Sequence, residues 1–287
     1  NHARCLHIED REQTEIRMTE QKVNRWQGRT AVITGASSGI GAATARRLSQ
    51  EGVRLVLVAR REDRLEALAR ELEAKGGQAT VFAADLTQPA ERQGLFDTVQ
   101  AQYGGADILV NNAGFGWYGY YTDMTWPLAE EMLRLNVEAV MALTWLFLPG
   151  MRTRKRGAVI NIGSIAGALP NQGIAMYSGT KAFLDAFTTC LYRELVGSGV
   201  QATVIRPGAV KTDFFETARQ RPAGRSIPAE GSAVPVERVS EAVWSALQHP
   251  RRAVYVPWQA RFSPLLEVLF GWAIDWVGPI LLKRRSN

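Results

Sequence analysis

TAVITGASSGIGAATARRLSQ, from Thr30 to Gln50, decides how this chain of 287 residues folds. The apolar run Thr30 to Thr34 reads as a buried strand, and AATARRLSQ from Ala42 has the composition of a helix. Between them lies a turn holding Gly35, Ser37, Ser38, Gly39, Ile40 and Gly41. A strand, a glycine-rich turn and a helix in that order form the opening of a dinucleotide-binding unit. Gly35 permits the tight turn, Gly39 lets a pyrophosphate approach the main chain, and Gly41 lets the helix pack close to the sheet. The helix start then offers unpaired N–H groups and a positive dipole end to the phosphates. Because the spacing is GxxxGxG and not GxGxxG, an ordinary glycine-rich loop is the competing reading of this string alone.

The second strand, Val53 to Val58, selects the cofactor. NAD sites place a carboxylate at its end, about 20 residues past the glycines, to bind the ribose hydroxyls. Here Ala59 holds that position and Arg60 and Arg61 follow. A guanidinium suits a 2′-phosphate through paired, charge-assisted hydrogen bonds, so NADP(H) is preferred over NAD(H). The competing reading makes both arginines solvated charges pairing with Glu62 and Asp63. Further strand-like runs begin at Ala79, Ile108, Ala158, Val200 and Ala253 and alternate with helical stretches. That alternation predicts an α/β fold: a doubly wound, seven-stranded parallel sheet with helices on both faces, in a single domain from 28 to 256.

The chemistry is concentrated later in the chain. Tyr177 and Lys181 stand four apart on a helix predicted from about Ala175 through Leu195, so both side chains share one face. Reducing a carbonyl leaves charge on its oxygen, and a proton donor must stand within reach of it. Tyr177 fits that role. Its free pKa is near 10, and a neighbouring Lys181 ammonium is expected to lower it. Ser164 ends the apolar strand that starts at Ala158, at the carboxyl edge where open α/β sheets bind ligands, and its hydroxyl could polarise the same oxygen. Taken singly, the serine also reads as a cap, Asn136 as a backbone partner and the Tyr/Lys pair as surface packing.

From Gly28 to Tyr255 the chain resembles the short-chain dehydrogenase/reductase family, NADP(H)-preferring branch. The motifs run in order: TGASSGIG at Thr34, Asp85 with Leu86, NNAG from Asn111 to Gly114, Asn136, Ser164, YSGTK from Tyr177 to Lys181, and PGAVKT from Pro207 to Thr212. The resemblance implies a catalytic set of Ser164, Tyr177, Lys181 and Asn136. In it the serine holds the carbonyl oxygen, the lysine also bonds the nicotinamide ribose, and the asparagine holds a water linking lysine to solvent. It also implies cofactor contacts. Asp85 and Leu86 border the adenine, Asn112, Ala113 and Gly114 line the adenosine and ribose side, Pro207 and Gly208 wrap the nicotinamide end, Thr212 contacts its carboxamide or the phosphates, and Val210 is a further cofactor contact. NNAG reads as backbone architecture, since amides do not titrate. PGAVKT reads equally as a structural turn.

Composition narrows the alternatives. The formal charge of +6 is spread through the chain, without a long basic run, so a nucleic-acid partner is not expected. Two cysteines, Cys5 and Cys190, exclude a disulfide framework and suit a reducing, cytoplasmic compartment; Cys190 reads as buried helix packing. The histidines His2, His7 and His249 form no metal-ligand cluster, and no metal is expected. Residues 1–27 read as a flexible polar leader without an apolar segment, in which Met18 could be a natural start.

Two segments bear on the substrate. The connection from Asp213 to Val234 lacks a steady helical period and reads as a mobile lid, with Phe214 and Phe215 either walling the substrate or anchoring the loop. The tail, 257–287, carries SPLLEVLFGWAIDWVGP from Ser263, predicting a helix from Pro264 to Val277 stopped by Gly278 and Pro279. At roughly 21 Å such a helix falls short of the 30 Å bilayer core. Its apolar surface leaves three readings: packing on the chain's own core or a homodimer or homotetramer, a membrane interface aided by Lys283, Arg284 and Arg285, or a wall of the substrate pocket. The sequence thus points to an NADP(H)-dependent oxidoreductase acting on a lipophilic carbonyl or alcohol. A 3-oxoacyl thioester reductase and a catalytically idle NADP(H) sensor are the alternatives.

Overall fold

A computed structural model describes residues 24–224 and 233–283. Seven parallel strands are β1 (Thr30–Thr34), β2 (Arg54–Ala59), β3 (Gln78–Ala83), β4 (Ile108–Asn111), β5 (Gly157–Ile162), β6 (Val200–Pro207) and β7 (Ala253–Val256). They lie in the order β3-β2-β1-β4-β5-β6-β7. The expected doubly wound sheet is therefore present. Its strand order reverses between β1 and β4, and there the carboxyl ends part to leave a crevice for a ligand. The middle strands are continuous apolar runs because both faces are covered; every residue of β1, β4 and β5 is buried.

The helices are α1 (Gly39–Ser49), α2 (Glu62–Glu73), α3 (Pro89–Tyr103), α4 (Trp126–Leu133), α5 (Ala139–Thr153), α6 (Ala175–Glu194), α7 (Phe214–Gln220), α8 (Val236–Gln248) and α9 (Ser263–Lys283). On one face of the sheet Ala45 and Leu48 of α1 pack with Val239, Val243 and Leu247 of α8. On the other, Leu95 and Val99 of α3 meet Leu143, Phe147 and Met151 of α5 and Leu191 of α6. A π-helical turn, Arg134–Glu138, joins α4 to α5 and puts Asn136 wholly inside. The resulting 28-residue helix, Trp126–Thr153, is long and apolar enough for a membrane span, yet Leu143, Phe147 and Met151 lie in this second core layer and Leu128 and Met132 pack with Phe115 and Trp117.

Four sequence expectations change. The leader ends before Gln27, because Trp26 is 2% exposed within the core and its indole Nε1 donates to the Leu247 carbonyl at 3.0 Å; residues 1–23 lie outside the described residues. Cys190 is exposed, on the outer side of α6. Part of the expected lid, Phe214–Gln220, is helical, and residues 225–232 lie outside the described residues. Finally, α9 does not stop at Val277 but runs to Lys283, passing through Gly278 and Pro279. Pro149 likewise sits inside α5, so this chain twice carries a helix across a proline. At 1.5 Å per residue α9 is about 31 Å long, which removes the length argument against its reaching across a bilayer core.

Candidate active site

The glycine-rich turn is shaped by close approach. Gly35 has φ +65°, a left-handed conformation that side chains disfavour, and a Cβ there would stand 2.9 Å from the Ala113 Cα. A Cβ on Gly41 would stand 2.3 Å from the Gly35 carbonyl, so only glycine lets α1 start against its own turn. The NNAG segment locks this arrangement. The Thr34 hydroxyl accepts from the Asn112 and Ala113 N–H groups at 2.9 and 3.0 Å, while Asn112 Nδ2 donates to the Thr34 and Gly35 carbonyls. At the start of α1, Ser38 makes no side-chain cap, which leaves the first N–H groups open to a phosphate.

Arg61 reaches back over this turn. Its guanidinium donates to the Ser37 hydroxyl at 2.9 Å and to the Ser38 hydroxyl at 2.8 Å. Arg60 is also exposed and lies 3.7 Å from Glu131 on α4. Neither arginine pairs with Glu62 or Asp63 among the described contacts. Both line one continuous cavity of about 470 Å3 together with Ile40, Asp85, Leu86, Gly114, Pro207, Gly208, Val210 and Thr212. Asp85 is turned onto Thr87, whose N–H and hydroxyl it accepts at 3.0 and 2.9 Å. Thr212 packs its methyl against Gly39, where a Cβ would come within 2.9 Å.

At the far end of the cavity α6 presents Tyr177 and Lys181. Tyr177 and Ser164, the latter two residues beyond the end of β5, both line this end, and the serine side chain acts on the phenol. Ser164 also caps the short turn Ile165–Gly167, its hydroxyl accepting from the Ala166 N–H at 3.1 Å. Lys181 Nζ donates to the Ile162 carbonyl at 2.8 Å and stands 5.7 Å from the centroid of the Tyr177 ring. Asn136 is committed to the main chain: Nδ2 donates to the Phe115 carbonyl at 2.9 Å and Oδ1 accepts from the Phe115 N–H at 3.1 Å. Its Nδ2 also reaches the Thr180 hydroxyl, tying the NNAG loop to α6.

The electrostatics differ from the sequence expectation. Burial pushes the Tyr177 phenol up to about 12, opposed by the Ser164 side chain, and not down under Lys181. Burial also brings Lys181 down to about 8, with Asp185 pulling the other way. While the phenol is neutral, the lysine ammonium is engaged by the Ile162 carbonyl. At neutral pH the pair is a protonated phenol beside an ammonium, an arrangement suited to giving up a proton.

The remaining walls are apolar, and sequence reading missed most of them. Phe115, Trp117, Leu169 and Ile174 join Phe214 and Phe215. Arg221 closes the rim: its guanidinium lies 3.6 Å from the Phe115 ring centroid and makes paired bonds to Glu131 at 2.7 and 3.1 Å. With Trp117 Nε1 donating to the Pro222 carbonyl at 3.1 Å, these contacts pin the end of α7 over the cavity. No local pattern marks Arg221 or Trp117; they matter only through a fold that brings together residues about a hundred positions apart.

This fold and constellation define a nicotinamide-dependent oxidoreductase of the short-chain class. Residues 29–223 match the short chain dehydrogenase family model, and the chain belongs to that family. It is 32% identical to a short-chain dehydrogenase from Sphingobium yanoikuyae solved in complex with NADPH, with a TM-score of 0.75 over 86% of this chain and 96% of the other. A short-chain dehydrogenase/reductase from Burkholderia phymatum, solved with NAD, is 25% identical with a TM-score of 0.75 over 83% and 93% of the two chains. Over 209 residues the chain is also 34% identical to the very-long-chain 3-oxoacyl-CoA reductase of Bos taurus, covering 70% of this chain and 65% of that one.

Proposed function

We propose that this protein is an NADP(H)-dependent oxidoreductase that reduces a carbonyl to an alcohol, or runs the reverse, on a lipophilic substrate. The observation that carries this reading is Tyr177 and Ser164 standing together at the end of a cavity walled by Phe115, Trp117, Phe214 and Phe215, with Lys181 one helical turn on. The cradle at Gly35, Gly39 and Gly41 and the guanidinium of Arg61 above Ser37 and Ser38 fit a dinucleotide with a 2′-phosphate. When bound, that cofactor supplies the hydride for the carbonyl carbon. Ser164 then holds the carbonyl oxygen, and Tyr177 delivers its phenolic proton to that oxygen as the alcohol forms. Lys181 steadies the phenolate left behind until a proton from solvent restores it. Asn136 keeps the loop and α6 in register for this transfer.

The test is oxidation of NADPH and NADH by purified protein across short aldehydes, 3-oxoacyl thioesters, steroids, retinoids and long-chain ketones, with Tyr177→Phe as control. Turnover with NADPH that vanishes in the variant supports the reading; tight NADPH binding without turnover on any carbonyl moves it to a cofactor sensor. A second reading, reduction of 3-oxoacyl thioesters, draws on the likeness to the Bos taurus reductase. It is favoured if long-chain 3-oxoacyl thioesters outrun free ketones of equal chain length.

For partners, α9 is read as facing lipid or a second copy. Trp272 and Trp276 are 70% and 75% exposed, with Leu265, Val268 and Phe270 also open. Co-sedimentation with anionic vesicles supports peripheral attachment, and a dimer by light scattering without vesicle binding supports the other reading.

A further inference from the structure

Behind the reacting end of the cavity lies a buried ion pair that the proton transfer just described does not use. Asp185 is on α6, one turn past Lys181 and two past Tyr177, so the three side chains follow one another at steps of four. Its Oδ1 accepts from Arg206 Nε at 2.9 Å, and both side chains are shielded from solvent. Arg206, on β6, is itself held by Tyr255 of β7, to whose hydroxyl it donates and over whose ring it lies. The carboxylate also touches the loop that carries Ser164. A Cβ on Gly167 would stand 2.9 Å from Asp185 Oδ2, and one on Gly163 would stand 3.3 Å from Oδ1.

A buried ion pair is a poor choice for stability alone, since apolar groups of similar volume serve as well or better. Its position suggests another use. Lys181 is 6% exposed and bonded to the neutral Ile162 carbonyl, so the ammonium has no carboxylate of its own in the cavity. Its own helix brings Tyr177 and Asp185 beside it, Asp185 in turn pairs with Arg206 of β6 and through it with Tyr255 of β7, and β5 contributes a carbonyl. We infer that Asp185, clamped by Arg206, is a positioning residue that keeps the Lys181 side chain charged and aimed while bracing the Ser164 loop. This rests on the reading of Tyr177 and Lys181 as the proton-transfer pair. The attraction of Asp185 opposes the burial that brings Lys181 down, and burial raises Asp185 itself less than it would without Arg206 and Lys181 beside it.

The test is the pH profile of kcat/KM for NADPH in wild type, Asp185→Asn and Arg206→Gln. Removing the carboxylate leaves Lys181 facing an uncompensated guanidinium, and its alkaline limb is expected to move toward acid by roughly one unit or more. Removing the guanidinium leaves Lys181 facing the carboxylate alone, and the limb is expected to move toward alkaline. A merely structural role would lower the rate in both variants without moving the limbs in opposite directions. Unshifted limbs, or limbs shifted the same way, overturn the inference. If either single variant fails to fold, the double variant Asp185→Asn with Arg206→Gln leaves no unpaired buried charge. Its limb is then expected to lie at or below that of wild type with NADPH binding retained, and a limb on the alkaline side overturns the role. Absence of turnover in wild type would instead count against the proposed activity.

Discussion

The Phe214 ring lies 5.5 Å, centroid to centroid, from the Tyr177 ring and is tilted 55° to it. An aromatic wall therefore stands beside Tyr177, and it comes from α7, the element pinned through Arg221 and Trp117. A bulky apolar carbonyl gains contact with this wall, while a short aldehyde reaches Tyr177 without it. Phe214→Ala is expected to lower kcat/KM for a long-chain or polycyclic substrate about 10- to 100-fold, in line with ~1–3 kcal/mol for lost apolar pocket contacts. Short aldehydes should change little. Equal losses for both classes would mean that Phe214 holds Tyr177 in place and does not select the substrate.

Arg61, with two serine hydroxyls from the phosphate turn as partners, is better placed than Arg60 to meet a 2′-phosphate. Arg61→Ala is expected to raise the KM for NADPH at least tenfold and leave that for NADH within about twofold, since a charge-assisted bond is worth ~1.5–3 kcal/mol. Arg60→Ala should have the smaller effect. Steady-state kinetics with both cofactors decides it, and matched losses for the two cofactors would remove the phosphate role from both arginines.

Much of this site is legible in the sequence because its determinants are local. Gly35 and Gly41 sit six apart in one turn, Tyr177 and Lys181 one helical turn apart, and both spacings fix geometry without knowledge of the rest of the chain. The inner strands follow from apolar runs that the sheet buries on both faces, while β3 and β7 at its edges are only partly covered. What escaped depends on distant partners. Glu131 gains meaning only when Arg221, ninety positions away, closes on it, and Asp185 only when Arg206 arrives from β6. Helical spacing alone predicts a phenol lowered by its lysine, but Lys181 turns to Ile162, a choice made by the main chain of β5. Gly278 and Pro279 carry a stop signal that α9 does not obey, as Pro149 fails to stop α5.

Trp26 precedes the first strand yet fills the core beside α8, and its anchor carbonyl at Leu247 also accepts from Arg25 at 2.6 Å. Trp26→Ala opens a cavity and is expected to cost about 3–5 kcal/mol. In Trp26→Phe the Leu247 carbonyl keeps Arg25, so no buried acceptor is orphaned and a smaller cost of about 1 kcal/mol is expected. Denaturant midpoints for the two variants check the ordering. A negligible loss in the alanine variant would return residues 24–27 to the leader.

Lys181 and Tyr177 both set limits on the alkaline side. With the lysine brought down to about 8 and the phenol pushed up to about 12, raising the pH discharges Lys181 first, while Tyr177 still holds its proton. The kcat/KM for NADPH is therefore expected to be level below about 8 and to fall up to tenfold per pH unit above it. Lys181→Arg keeps a charge that does not titrate in this range, so its profile should lose the alkaline limb even if its absolute rate is lower. The stability term has its own sign. A lysine whose folded pKa lies below its unfolded value binds fewer protons when folded, so its burial penalty is largest below about 8 and is relieved as pH rises toward the unfolded value of 10.5. Activity and this contribution to stability should thus run in opposite directions above about 8. A rate profile in Lys181→Arg that keeps the wild-type limb would assign the limb to another group.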